Sequence, residues 1–352
     1  MRYEGLAGGL MTVLNVAMIG TDELAREIAK PSDQRDVHTY VFKEQSASGD
    51  VRIISIIRPA KFPERLPPLL AALNVGRAGI LEVNKIDGVF GEAVVAFASA
   101  GIDRGIVVVN PPSGEWVDEA QVKMMVKQAG LEKWIFVDND GIGLRNKLYE
   151  IMDEIADRLQ SDAESALVVP VDQHFNVKGI GLVAIGYVQS GILNVHDELF
   201  LLPAGGKGDA KSLQVMDDDV KIATAGDRVG IALRNAKEEH LSKGSLIVHP
   251  PINDKKTNTV VPLALITQKR SSFVLSPSPF QKRQLIVGDI CHIAIDLQFA
   301  VGRIEAIVHN LISVEWDSPI HVRRDNSANA LLCQLDTKPR IMGAVHEIES
   351  LE

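Results

Sequence analysis

Residues 169–203 read Val169-Pro170-Val171-Asp172-Gln173-His174-Phe175-Asn176-Val177-Lys178-Gly179-Ile180-Gly181-Leu182-Val183, and then keep Gly186, Ser190-Gly191, Asp197-Glu198-Leu199 and Pro203 at short intervals. β-Branched and aliphatic residues come in brief runs. Glycine pairs punctuate them at Lys178-Gly179, Ser190-Gly191, Gly205-Gly206, Ala225-Gly226 and Lys243-Gly244. Glycine permits positive φ at a hairpin and close backbone approach at a corner. Short strands with this punctuation predict a barrel or sandwich. From Leu167 onward helical periodicity is almost absent. A second all-β unit begins after Pro250-Pro251, since two prolines cannot sit in a central ladder.

Upstream the pattern alternates. Val13–Ile19, Tyr40–Phe42, Val51–Ile57, Ala78–Val83, Gly105–Val109 and Trp134–Val137 read as strands. Asp22–Ala29, Pro67–Leu73, Gly91–Ala100, Val117–Ala129 and Leu144–Leu159 read as helices. Such alternation predicts a mostly parallel sheet covered by helices on both faces. The polar run Gln160–Ser165 reads as the hinge. The expected organisation is an α/β domain over residues 1–165, a β-barrel over 166–251 and a second β-barrel over 252–352. The apolar stretch Gly5–Gly20 is interrupted by Asn15 and followed by Asp22 and Glu23, so it reads as a buried strand and not as a signal-peptide core. Residues before Met11 read as an extension or a start assigned too early.

The chain has 352 residues, 46% hydrophobic, with a formal net charge of -9. That acidity excludes a protein that coats nucleic acid non-specifically, and DNA is not an expected partner. No stretch is long and apolar enough to span a bilayer, so no membrane partner is expected and the expected location is cytoplasmic. Cys291 and Cys333 match no zinc or redox spacing and read as buried core residues. The histidines show no ligand spacing, so no metal site is expected. No nucleophile–base motif is present, and no catalytic residue is assigned.

The segment from Phe175 through Gly181, Val183, Gly186, Ser190-Gly191 and Asp197-Glu198-Leu199, continued by Ala225-Gly226-Asp227-Arg228-Val229-Gly230, Leu233 and Ser242-Lys243-Gly244, resembles the β-barrel second domain of EF-Tu-type translational GTPases. The Val171–Val177 opening and the Gly226–Leu233 run are most similar to the archaeal SelB-like branch, including the form called EF-Pyl. Val287-Gly288-Asp289 and Arg340-Ile341-Met342-Gly343-Ala344-Val345 resemble the third domain more loosely. The resemblance implies a GTPase-like domain followed by two barrels, and a role near aminoacyl-tRNA and the ribosome.

The N-terminal domain departs from that family's pattern. A P-loop is G-x-x-x-x-G-K-(S/T), whose backbone N–H groups, lysine and hydroxyl hold phosphate and Mg²⁺. Here it reads Gly20-Thr21-Asp22-Glu23-Leu24-Ala25-Arg26-Glu27. Thr21 is a good N-cap, and Asp22, Glu23 and Glu27 are expected to put carboxylates where phosphate would bind. The D-x-x-G-H motif becomes Ile57-Arg58-Pro59-Ala60-Lys61. The segment Lys30–His38 is too short for a full first switch loop. Asn84-Lys85-Ile86-Asp87 is a literal N-K-x-D, but it closes the wrong strand and reads as a turn. The strand where that motif belongs ends in Asn110-Pro111-Pro112, which keeps only the asparagine. Val137-Asp138-Asn139-Asp140 reads as a strand-to-helix turn. Gly20, Thr21, Arg26, Glu27 and Asn110 are thus the remnant of a nucleotide site, in a chain expected to be a pseudo-GTPase without a cofactor. GTP with Mg²⁺ held through Glu27 is the alternative.

The resemblance places the aminoacyl end of tRNA near the second barrel, with Asp172, His174, Phe175 and Arg234 as candidates. Phe175 reads more readily as core. Paired cations at Lys255-Lys256, Lys269-Arg270, Lys282-Arg283 and Arg323-Arg324 are candidates for tRNA backbone phosphates if they converge on one face. Three readings follow: a SelB-like paralogue that binds aminoacyl-tRNA or the ribosome without hydrolysis, an atypical GTP-binding elongation factor, and a non-enzymatic protein–protein scaffold.

Overall fold

Met11–Ile19 forms β1, and Thr21 caps α1 (Asp22–Ile28) only two residues later. In the computed structural model, residues 11–254 and 259–351 are described; residues 1–10 and the pair Lys255-Lys256 lie outside them. β2 (Lys30–Gln34) and β3 (Val37–Gln45) form an antiparallel hairpin leading to β4 (Val51–Pro59). The first body continues with α2 (Pro67–Val75), β5 (Ala78–Val83), α3 (Gly88–Ser99), β6 (Gly105–Val109), α4 (Glu119–Gln128), β7 (Ile135–Phe136), α5 (Gly141–Glu154) and α6 (Ala156–Ala163). Its sheet, among the described residues, has the order β2-β3-β4-β1-β5-β6-β7. β4, β1, β5, β6 and β7 are parallel.

Side-chain alternation sorts each central strand between two cores. Ala17 and Ile19 join Ile57, Leu81 and Val107 under α2, α3 and α4. Val16 and Met18 join Ile54, Ile80 and Ile106 under α1 and α5. Two local expectations change. The segment read as a truncated switch loop is an ordered edge hairpin, β2–β3. The helix expected over Leu144–Leu159 breaks at Ile155, and α6 then runs through Ala163, so most of the expected polar hinge is helical.

The second body has β8 (Val168–Val177), β9 (Gly181–Tyr187), β10 (Ile192–Asn194), β11 (Glu198–Leu202), β12 (Gly206–Val215), β13 (Asp218–Val220), β14 (Ile222–Thr224), β15 (Arg228–Arg234) and β16 (Leu246–Val248). The order β11-β16-β8-β9-β15-β12 closes through a β11–β12 pairing. β17 (Ile252–Asp254) and β18 (Thr259–Val261) form a short antiparallel pair. The last body is a closed barrel of β19 (Leu265–Pro277), β22 (Leu311–Arg323), β21 (Gln298–Val308), β20 (Ile290–Ile295), β23 (Ala330–Cys333) and β24 (Ile341–Ser350). Cys291 and Cys333 are buried. The fold is therefore a mixed, largely parallel sheet domain followed by two closed barrels.

The three bodies are joined by buried polar contacts. Asn74, at the end of α2, touches both barrels. Its amide donates to Asn329 O (3.2 Å), its Oδ1 accepts from Leu297 N (3.3 Å), and its carbonyl accepts from Gln189 Nε2 (3.1 Å). Asn15 on β1 donates to Gly226 O at 2.7 Å. Arg340, before β24, donates to Glu92 on α3 through Nε (2.9 Å) and Nη2 (2.8 Å), and its backbone N–H donates to the same carboxylate (3.0 Å). Arg340 and Glu92 are both buried. Burial acts to raise the Glu92 carboxyl, but the Arg340 bonds outweigh it and hold the group below the ordinary glutamate range.

Breaking a buried pair leaves the surviving charge uncompensated. Arg340→Ala is therefore expected to cost about 3–5 kcal/mol in urea unfolding. Glu92→Leu/Arg340→Met should cost less than that single change, though more than nothing, because the Arg340 backbone N–H then lacks its acceptor. A double variant no more stable than Arg340→Ala would refute the pairing account. Because the Glu92 carboxyl is depressed when folded, its contribution is full above the ordinary value of 4.5. It should fade as pH falls through the lower folded value, and the pH dependence should flatten in Glu92→Gln.

Candidate degenerate nucleotide site

The parallel strands β1, β4, β5, β6 and β7 end along one edge of the first sheet, where open α/β sheets place their ligands. Only Gly20 and Thr21 separate β1 from α1, so no extended phosphate loop is present there. Thr21 Oγ1 accepts from Leu24 N at 3.2 Å, as its expected capping role requires. The Thr21 N–H donates to Glu82 Oε2, and Asn110 Nδ2 donates to Glu82 Oε1 at 2.7 Å. Glu82, near the end of β5, is only 8% exposed. A carboxylate thus sits at the entrance of α1, where free N–H groups and the helix dipole favour an anion. Gly20 is needed for this approach: a Cβ there would stand 2.9 Å from Glu82 Oε2. Arg58 Nε closes the other side by donating to Gly20 O at 2.7 Å.

The expected source of the carboxylate was different. Asp22 turns away from the α1 entrance and accepts from the Tyr40 hydroxyl and from Arg26. Those bonds, Tyr40's first, hold the Asp22 carboxyl below its usual range. Burial and then Asp22 push the Tyr40 hydroxyl up to about 12. Glu23 and Glu27 are exposed, and Arg26 is tied to Asp22 across one helical turn. Glu82 was missed because it lies inside the run Ala78–Val83, which reads simply as a buried strand. Its signal was chemical: a carboxylate in a wholly buried strand must have partners.

The remaining motif positions serve the fold. Ile57 is core, and Lys61 is exposed in the turn after β4. Asp87 caps α3 by accepting from Val89 N (2.9 Å) and Phe90 N (3.0 Å), and pairs with Lys85 at 3.0 Å. Asp140 caps α5 through Ile142 N and Gly143 N. Gly141 lies against α1, where a Cβ would stand 2.4 Å from Glu27 O. Two cavities of about 590 Å³ lie away from Gly20, one lined by Thr12, Arg52, Asp153 and Asp157, the other by α2, Lys243, Leu297 and His321.

The aminoacyl candidates are not brought together. Asp172 lies at the junction with the first body, 3.8 Å from Arg228 and within 4.0 Å of Lys243. Arg228 also reaches Asp33 of β2 at 3.5 Å. Arg234 is at the far end of β15, 3.8 Å from Asp209. Phe175 and His174 are partly buried, and Phe175 is not among the residues filling the barrel, contrary to its expected core role.

The cationic candidates are largely engaged within the protein. Arg323 is buried against Asp296 and unavailable to a phosphate backbone. Arg324 donates to Leu263 O at 2.7 Å, Lys269 to Asp317 O at 2.9 Å and Arg270 to Glu305 at 2.8 Å. Arg283 reaches Asp289 at 3.4 Å, while Lys282 is exposed. Arg323-Arg324 ends β22, and Lys282-Arg283 lies in the loop before β20.

Residues 181–248 match the family "Elongation factor Tu domain 2". An uncharacterised protein of Methanocaldococcus jannaschii is 26% identical over 95% of this chain and 99% of its own length. The selenocysteine-specific elongation factor of the same organism is 38% identical over 31% of this chain, a match spanning 23% of that protein. Elongation factor 1-alpha of Methanosarcina acetivorans is 24% identical over 60% of this chain and 56% of its own length. Translation elongation factor SelB from Methanococcus maripaludis, in its apo form, superposes with a TM-score of 0.70 at 18% identity, covering 97% of this chain and 81% of that one. The barrel match, the sequence similarity and the shared three-body fold together make the chain similar to EF-Tu-type translational GTPases, SelB among them.

Proposed function

We propose that the chain is a SelB-like translation-factor paralogue that binds aminoacyl-tRNA or the ribosome in the cytoplasm without GTP hydrolysis. The observation that carries this reading is the Glu82 carboxylate at the α1 entrance, held by Thr21 N–H and Asn110. A triphosphate there would meet a buried negative charge where its own should be stabilised. The barrels retain the family's frame, which supports a surviving binding role. Asp172, His174 and Phe175 on β8 remain candidates for contact with an aminoacyl end, with Asp172 at the junction with the first body. Arg234 would be a separate contact. Lys282 is exposed, as are Arg270, Arg283 and Arg324, and it remains a candidate for a phosphate contact. The ion pairs that engage Arg270, Arg283 and Arg323 favour the scaffold as the second reading, with protein taking the place of RNA.

Calorimetric titration with GTP and with GDP, each with Mg²⁺, should give no binding heat at millimolar nucleotide. Micromolar binding would return the elongation-GTPase reading to first place. Filter binding with aminoacyl-tRNA and sedimentation with ribosomes should detect salt-sensitive association with one of them. Failure of both would leave the scaffold.

Glu82→Ala tests the filled site directly. Removing the carboxylate strips the Thr21 N–H and the Asn110 amide of their acceptor, at an expected cost of about 1–3 kcal/mol in thermal or urea unfolding. It should also let inorganic phosphate stabilise the variant more than the wild type. Equal phosphate response in the two proteins would count against a self-filled anion site.

A further inference from the structure

One tryptophan stands apart from the other two. Trp134 and Trp316 are buried, whereas Trp116 is 80% exposed. It lies between β6 and α4, in the loop Asn110-Pro111-Pro112-Ser113-Gly114-Glu115-Trp116-Val117-Asp118. Both ends of that loop are anchored. Asn110 N donates to Val83 O (3.0 Å) and Asn110 Nδ2 to Glu82 (2.7 Å), while Asp118 caps α4 by accepting from Ala120 N (3.0 Å) and Gln121 N (3.3 Å). Val117 packs into the core beneath α3 and α4. Between the anchors two prolines fix φ. Glu115 N donates to Pro112 O at 2.9 Å, across a turn in which Gly114 takes a φ of 86°. A large indole is thus held in water by a loop with little freedom left to lose on binding.

The charges on this part of the sheet edge are acidic. The loop itself carries Glu115 and Asp118 and no cation, and α4 opens with Glu119. The neighbouring turn, between β7 and α5, carries Asp138 and Asp140 and again no cation. That turn lies beside the start of α4, because β7 pairs with β6 and Lys123 Nζ sits 5.0 Å from the centre of the Phe136 ring. It leads into α5 with Ile142 at 63% exposure. The nearby cations are engaged within the protein. Lys123 pairs with Glu119 and Lys85 with Asp87, and Arg145 donates to the Glu27 and Ile28 carbonyls. Lys61 follows β4, which the sheet order sets beyond β5 and β1 from this loop. Glu115 and Asp138 are exposed, and among the described residues their carboxylates meet no cation.

An exposed tryptophan framed by unneutralised carboxylates selects its ligand. A nucleobase would stack on the indole but bring its phosphate against Glu115 and Asp118. A guanidinium also stacks on an indole face, and its N–H groups are matched to a carboxylate beside the ring. Exposed tryptophan in a fixed loop is, further, the residue type that dominates protein interfaces. We infer that the loop between β6 and α4 docks a basic segment of a partner protein, with an arginine stacked on Trp116 and paired with Glu115, and a second cation facing Asp138. The inference goes beyond the RNA-binding reading and does not rest on it. That reading assigns RNA to the barrels, and this loop belongs to the first body.

The test uses the full chain and three short peptides that alternate glycine with arginine, with lysine or with glutamate. Trp116 is the exposed one of the three tryptophans, so its emission reports on the loop directly. Fluorescence titration should show the arginine peptide binding at least about threefold tighter than the lysine peptide and at least about tenfold tighter than the glutamate peptide. By calorimetry, Trp116→Ala should weaken the arginine peptide at least about tenfold, and Glu115→Lys/Asp138→Lys should do the same. Glu132→Lys/Glu164→Lys makes the same change in net charge at the far end of α4 and after α6, and should leave binding within about twofold. All these positions are exposed, and an unchanged unfolding midpoint would show that the variants fold. Equal binding of the arginine peptide and either of the others, insensitivity to Trp116→Ala, or an equal loss in Glu132→Lys/Glu164→Lys would overturn the inference. So would tighter binding of an oligouridylate with the same Trp116 response, which would give the loop to RNA. A dimer in sedimentation that Trp116→Ala dissolves would overturn it in favour of a second copy of this chain.

Discussion

The carboxylate of Glu82 is the constraint around which the first domain is arranged. A helix that starts two residues after a central strand presents unpaired N–H groups at the sheet's C-terminal edge, and burial makes leaving them unmet expensive. A nucleotide-binding protein leaves that demand to its ligand. Here β5 supplies the anion covalently, and the consequences follow by geometry. Position 20 must lack a side chain, because Glu82 already stands within 2.9 Å of where a Cβ would be. Asn110, at the end of β6, satisfies the carboxylate's other oxygen. Arg58, at the end of β4, reaches back to the Gly20 carbonyl. The ends of β1, β4, β5 and β6 are therefore bonded to one another through protein groups.

The same economy operates between the bodies. In a factor driven by nucleotide, the element after the second motif would need freedom to change partners. Here α2 ends in Asn74, whose side chain and carbonyl meet both barrels. α3 is fastened to the last barrel by the buried Glu92–Arg340 pair. The apolar core beneath α2 and α3 continues into Ala294, Leu331 and Ile341 of that barrel. A movement of the barrels would have to expose this core and break buried charge-assisted bonds together. Static binding, as proposed for the chain, asks for no such movement.

Much of this was legible in the sequence. Alternation of apolar runs with amphipathic segments gave the layered first domain. The glycine-punctuated short strands after Leu167 gave the barrels, because a hairpin's backbone geometry is written in its turn residues. Arg26 and Glu27 stand where a P-loop would carry its lysine and hydroxyl, a comparison the sequence allows residue by residue. What replaced the ligand was not. Asp22 and Glu23 occupy the right places in the chain, but side-chain direction is set by packing, and the buried Tyr40 hydroxyl draws Asp22 away. Glu82 comes from a strand distant in sequence and adjacent only through the β1–β5 pairing. Paired cations were misleading for a similar reason. Their availability depends on which carboxylates the barrel register brings opposite, and Arg323 finds Asp296 across the fold.

On the proposed reading, the absence of GTPase residues and the bonded strand edge are physically one change. Removing the lysine, the hydroxyl and the Mg²⁺-linked aspartate would by itself leave an open, polar, unsatisfied cleft at the end of the sheet. Such a cleft costs stability whenever water cannot fully reach its N–H groups. Glu82, Asn110 and Arg58 remove that cost by bonding the cleft's backbone groups to side chains already present on neighbouring strands. On the proposed non-hydrolysing reading, an entering phosphate would have to displace this tethered carboxylate.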